Sequence, residues 1–168
     1  MLARGLTRIS VLSASLATTV SVGTAFAADY FYMHAPVGCF VRSGTVNGDF
    51  GALQNTGSTR ADIECPITTN SCDVIDNGSV VTVKDRHSQQ NVECTLFDVK
   101  LSGSQFLILT EGKASSGNSA NWQKLNYTLE LTPNQFDQHL FMSCFIPPVG
   151  SGNSYLGNYM IALDDLCI

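Results

Sequence analysis

Basic residues are scarce: nine Lys and Arg stand against fourteen Asp and Glu in 168 residues, a net charge of −5. Nucleic acids and anionic membrane surfaces require clustered Lys and Arg, so this balance disfavours both as partners. Charged residues of either sign make up only 14% of the chain. Ser, Thr, Asn and Gly stand in their place, the make-up of an extracellular β-protein more than of a cytosolic enzyme. Beyond the N-terminus no apolar run approaches the ~20 residues of a membrane span. Internal repeats, linkers and a convincing helical period are also missing.

Signatures of catalysis are equally thin. There is no G-x-S-x-G elbow, and the histidines number three, His34, His87 and His139. His139 and Ser143 are four apart in a strand-like segment, about 13 Å by strand rise, too far to act as a pair. His87 lies in a polar stretch beside Asp85 and Arg86 and reads as a solvated loop residue. Asp62 and Glu64, two apart on one strand, do not flank a cleft as glycosidase carboxylates must; a solvated strand face is the better reading. Residues 73–78 place Asp73, Asp76 and an Asn around a glycine turn and are weak calcium candidates. They lack the full EF-hand spacing and its closing Glu. No catalytic residue and no cofactor is expected.

Residues 1–27 have the form of an export signal. Arg4 and Arg8 precede an apolar stretch rich in Ser and Thr, and Ala25-Phe26-Ala27 is a small-x-small cleavage site. Removing it leaves residues 28–168 as one domain, with seven basic residues against fourteen acidic, a charge of −7. A secreted protein, in the periplasm, at the cell surface or outside the cell, is expected. All six cysteines, Cys39, Cys65, Cys72, Cys94, Cys144 and Cys167, follow the cleavage site. An even count in an exported chain points to up to three disulfides. No C-x-x-C or Cys/His pair has zinc-ligand spacing. Cys72 and Cys167 are expected to pair with each other, leaving the other four for the core.

The strands announce themselves by alternation. Leu140, Met142, Cys144 and Ile146 share one side of residues 138–146, and Pro147-Pro148 ends the ladder. Residues 61–66 and 91–99 repeat the design, with Cys65 and Cys94 among inward apolar positions. A strand is also expected over residues 36–42, a turn at Val46-Asn47-Gly48-Asp49, and a short edge strand over 50–54. Residues 79–84, 105–109, 123–131 and 155–163 complete about nine short strands. Residues 112–121 form a long Gly/Ser/Asn loop. The spacing predicts an all-β, antiparallel sandwich of Ig-like or jelly-roll type, stabilised by disulfides. The aromatic segment over residues 29–34 is either a first strand or an arm that adds to a neighbour's sheet edge.

Cys65-Pro66-Ile67, Val83-Lys84-Asp85, Val92-Glu93-Cys94-Thr95-Leu96 and Phe141-Met142-Ser143-Cys144-Phe145-Ile146-Pro147 resemble the pattern of a loose family. Its members are small exported β-sandwich proteins of Gram-negative bacteria. The resemblance covers about residues 35–163 and includes a closing strand at Gly157-Asn158-Tyr159-Met160-Ile161. It implies a fold and an address, and it transfers no active site.

The most useful functional hint is aromatic. Trp122, the single tryptophan, borders the long polar loop, and Tyr155 opens the last strand. Exposed, they would form a sugar-stacking platform, with Asn118, Asn121 and Gln123 supplying hydrogen bonds. Buried, Trp122 would plug the end of the core, the commoner fate of a large aromatic. The expected function is a non-enzymatic binding or structural module, self-assembling through a sheet edge or binding an extracellular polysaccharide. One alternative is a carbohydrate-binding module using Trp122, Tyr155 and Asn121. A second is a small hydrolase or inhibitor whose site forms only in three dimensions.

Overall fold

A strand with apolar side chains at every second position has one face to bury, and two such sheets bury each other. The computed structural model describes residues 29–49, 51–67, 73–75, 78–129 and 138–165. The export signal, Cys72, Cys167 and Asp76 lie outside them. Twelve strands are described: β1 (Asp29–His34), β2 (Phe40–Ser43), β3 (Val46–Asp49), β4 (Ala52–Asn55), β5 (Ala61–Pro66), β6 (Asp73–Ile75), β7 (Val80–Lys84), β8 (Glu93–Ser102), β9 (Gln105–Ala114), β10 (Gln123–Asn126), β11 (Gln138–Ile146) and β12 (Tyr155–Asp165). No helix among the described residues is long and apolar enough to cross a membrane.

The first sheet runs β10-β7-β12-β4-β3, with β1 and β6 also pairing β12, and the second runs β2-β5-β11-β8-β9. All pairs are antiparallel. Val81, Val83, Leu156 and Ile161 from the first sheet meet Ile63, Leu96, Met142 and Ile146 from the second, all essentially solvent-free. Each such side chain contributes roughly 1.5–3 kcal/mol relative to exposure. Tyr159 on β12 reaches across and donates its hydroxyl to the Pro66 carbonyl at 3.2 Å, and Tyr127 donates to the Cys94 carbonyl at 2.8 Å.

The inward cysteines are joined. Cys94 and Cys144 face each other in register on β8 and β11 and form one disulfide; Cys39 and Cys65 form another. Both lie within the second sheet and its approach from the chain start.

Several expected details differ. Val46-Asn47-Gly48-Asp49 is strand β3, not a turn; the chain has reversed by Ala52, which pairs with Asp49, and Gly51 takes φ 81°. A hairpin loop needs that left-handed conformation only at the reversal itself, and Asn47-Gly48 instead pair with Gln54 and Leu53. β3 is therefore the sheet edge, and β4 lies inside it. Residues 36–38 form a 3₁₀ turn closed by the Cys39 N–H on the Pro36 carbonyl, so the strand begins only at Phe40. β9 continues through Gly112 to Ala114 because its partner β8 extends back to Glu93. The segment over residues 29–34 pairs with β12 of its own sheet, from Asp29 opposite Asp164 to His34 opposite Tyr159.

Candidate functional site

The outer face of the first sheet carries the most elaborate surface. On β7, Val81 and Val83 point inward, so Val80, Thr82 and Lys84 point out. Lys84 is opposite Tyr155 of β12, and Thr82 is opposite Lys124 of β10. Between Leu156 and Tyr159 the β12 strand holds one residue more than β7, which passes only from Val83 to Val81. This bulge at Gly157-Asn158 turns the Asn158 carbonyl onto the Thr82 hydroxyl, which donates to it at 2.7 Å. Bulges re-aim side chains and bend the strand beside them, as here.

Trp122 stands one residue before β10, whose first residue, Gln123, pairs with Val83. It is 52% exposed and so does not plug the core. Its ring lies over Gly157, where an added β-carbon would sit 2.8 Å from the Trp122 Cζ3 and 2.6 Å from the Thr82 hydroxyl. The Tyr155 ring is 6.1 Å away, tilted by 57°, and the Lys84 ammonium lies 5.6 Å from the centre of the Tyr155 ring. Two shallow open depressions adjoin across Thr82 and Asn158. One of about 180 Å³ runs under Trp122 to Gly51, and one of about 270 Å³ runs past Lys124 to Met160. Each is smaller than the roughly 300–1,000 Å³ clefts that enclose a compact ligand. The shape suits an extended ligand lying across the face.

The loops that present the two rings are tied to one buried carboxylate, Asp85. Its Oδ2 accepts from the Ser115 hydroxyl at 2.6 Å, and its Oδ1 from the Ser154 hydroxyl at 3.3 Å and the His87 N–H at 2.9 Å. The Ser115 hydroxyl in turn accepts from Val92 N–H, and that of Ser154 from Arg86 N–H. The Asp85 carbonyl holds Ser119 N–H at 2.6 Å, and the Gln123 side-chain oxygen holds Ser116. Residues 115–121 thus reach Trp122 as an ordered support. Gln123 and Asn91 are spent on this loop rather than turned to a ligand. Asn118 and Asn121 are exposed beside Trp122. On the opposite side of Tyr155, Asn153 donates to the Gln54 side-chain oxygen at 3.0 Å.

The other sequence candidates do not converge on chemistry. The His87 Nδ1 accepts the Gln89 and Gln90 N–H groups at 3.1 and 3.0 Å, and its ring packs on Gly150. His139 is exposed, its ring 5.8 Å from that of Phe141. Glu64 pairs with Arg42, while Asp62 takes the Ser43 hydroxyl at 2.8 Å and lies 3.8 Å from Arg60. Among the described residues no group of three His, Cys, Asp or Glu could hold a metal. Asp73 pairs with Asp165 in β6 and β12.

Thr82, Lys84, Lys124, Gly157 and Asn158 were not among the candidate site residues of the sequence. Outward alternation marks Thr82 and Lys84, but their placement beside Tyr155 depends on a strand pairing across some seventy positions.

No protein-family model matches the sequence, and no curated protein matches it. Among solved structures, the CBM22-1 xylan-binding domain from Paenibacillus barcinonensis is similar, with a TM-score of 0.51 and 16% identity. That match covers 85% of this chain and 100% of that one. The family 11 carbohydrate-binding module from Clostridium thermocellum matches with a TM-score of 0.38 and 11% identity, over 79% of this chain and 87% of that one. A family two carbohydrate esterase from Cellvibrio japonicus matches with a TM-score of 0.43 and 9% identity, over 82% of this chain. This chain covers only 34% of the esterase's length. The first likeness is one of fold: the chain is an antiparallel, disulfide-containing β-sandwich.

Proposed function

We propose that the protein is a non-catalytic, exported carbohydrate-binding module, whose platform is Trp122 and Tyr155 on the outer face of the first sheet. The carrying observation is that Trp122 is half exposed yet pinned against Gly157, 6.1 Å from Tyr155. Aromatic rings offer broad apolar area with few rotatable bonds, and the C–H faces of sugars stack on them at little ordering cost. The Asp85 network holds the loop before binding, which lowers that cost further. The fold shared with a xylan-binding domain supports this reading. So do the two disulfides among the described residues, which favour an oxidising compartment. The test is affinity electrophoresis through gels containing soluble polysaccharides, with Trp122→Ala and Tyr155→Ala beside the unaltered protein. Retardation by at least one polysaccharide, lost in Trp122→Ala, is expected. Free migration in every gel contradicts the reading.

A second reading, pairing of two copies, is favoured by strand β9. Among the described residues it pairs only with β8, and Phe106, Leu107, Ile108 and Leu109 are 71, 52, 55 and 37% exposed. From Gln105 to Thr110 it carries no charge and no proline, the usual guards of an edge. An antiparallel second copy centred on Ile108 would set Leu107 against Leu109 and Phe106 against Thr110, with no like charges opposed. Light scattering across a range of concentrations tests it. A dimer lost in Ile108→Lys is expected; a monomer throughout removes this reading.

A further inference from the structure

We infer that the polysaccharide taken by the Trp122–Tyr155 face is acidic, bearing carboxylate or sulfate groups that meet Lys84 and Lys124. This rests on the platform reading above and deepens it. Four other described cations are paired: Arg42 with Glu64, Arg60 with Asp62 and Glu93, Lys100 with Asp98 and Lys113 with Glu111. Arg86 has no described carboxylate partner, and its side chain packs against Gly152 away from this face's rings. No described carboxylate lies within 4 Å of the ammonium of Lys84 or Lys124. In a chain of net charge −5, the two lysines without a described carboxylate partner therefore share one face.

Lys84 is opposite Tyr155, its ammonium 5.6 Å from the Tyr155 ring centre, and follows Val83, the partner of Gln123 next to Trp122. Lys124 is opposite Thr82, one diagonal step of about 7–8 Å from Lys84, and lines the second depression. The strand stretches that form the floor, Val80–Lys84, Gln123–Asn126 and residues 155–162, contain no Asp or Glu. The two positive charges thus lie on the face that carries the rings, Lys84 against Tyr155 and Lys124 lining a depression beside them. A neutral glycan would offer the ammonium groups hydroxyl acceptors alone. An acidic one adds an opposite charge at each hydrogen bond, which shortens and strengthens it. The rest of the molecule repels polyanions, so any acidic glycan held must be held locally.

Calorimetric titration tests this with oligouronides, a sulfated oligogalactan and neutral oligoxylosides of equal length, each at low and at high salt. The proteins are unaltered, Trp122→Ala, and Lys84→Gln/Lys124→Gln, with thermal melts confirming that each variant folds. Expected is binding of at least one acidic ligand tenfold or more tighter than the neutral one, weakened at least tenfold by salt and by the double lysine change. Whether oligouronide or sulfated ligand wins identifies the anionic group. Equal, salt-independent binding of neutral and acidic ligands, unchanged in the lysine variant, overturns the acidic assignment and leaves the platform standing. Acidic binding that survives Trp122→Ala places the anion elsewhere and overturns it too. No binding of any glycan overturns both.

Discussion

The ring of Trp122 rests on Gly157 closely enough that a β-carbon there would come within 2.8 Å of it. The contact joins the polar loop that ends at Trp122 to the bulge in β12, so ring position and strand irregularity form one unit. Gly157→Ala must move the Thr82 hydroxyl and the Trp122 ring, 2.6 and 2.8 Å from the new carbon, or else the backbone of Thr82, whose carbonyl would lie 3.0 Å away. The ring, being the far end of a side chain, gives way first. Because Trp122 is the single tryptophan, its emission reports this directly. We predict a red-shifted spectrum and at least tenfold weaker glycan binding in Gly157→Ala, with the melting temperature lowered by only a few degrees.

Asp85 acts as a positioning residue for the same platform. Its carboxylate takes two serine hydroxyls, one from each flanking loop, and both are buried with it. Asp85→Ala strands these donors, at about 1–3 kcal/mol for each buried group left unpartnered. Denaturant unfolding measures that loss. Faster amide exchange over residues 115–121 distinguishes the loosened loop from a uniform loss of stability.

Glu111 predicts a pH response. Burial raises its pKa, but the Lys113 ammonium at 2.7 Å and the N–H groups of Thr128 and Leu129 outweigh this and hold it below the ordinary value of 4.5. A carboxylate lowered on folding stabilises fully above its unfolded pKa, and that contribution is lost as pH falls through the folded value. Below pH 4.5 the clamp on Thr128 and Leu129 therefore weakens. Glu111→Gln should lose less stability than the unaltered protein between pH 7 and pH 3, as read by thermal melts. Equal losses would contradict the assignment.

The disulfides predict a stability decrement. Cys94–Cys144 and Cys39–Cys65 close chain separations of 50 and 26 residues. Replacing either pair with alanines is expected to cost about 2–4 kcal/mol in denaturant unfolding. Glycan affinity should be retained under native conditions, since both bridges belong to the second sheet and its approach, away from Trp122.

What the sequence made legible follows from what alternation encodes. Leu140, Met142, Cys144 and Ile146 were readable as an inward row because period two is local, and all four are buried. The same held for residues 61–66 and 91–99, where Ala61, Ile63 and Cys65, and Val92, Cys94 and Leu96, are buried. The pairing of the strands is not local: nothing near Lys84 announces that Tyr155 lies opposite it. The bulge at Gly157-Asn158 was hidden for the same reason, since it exists only relative to β7. Asn47-Gly48 misled because turn chemistry permits a reversal without compelling one. Trp122 was open to two readings, and its exposure depends on Gly157 supplying a floor with no side chain.

In the proposed function Trp122 itself contacts the ligand. Its emission during titration with a bound oligosaccharide tests this most directly, with calorimetry giving the extent of binding in parallel. The account predicts a saturable shift in emission that tracks calorimetric occupancy. Calorimetric binding with an unchanged tryptophan spectrum would place the ligand elsewhere and contradict it.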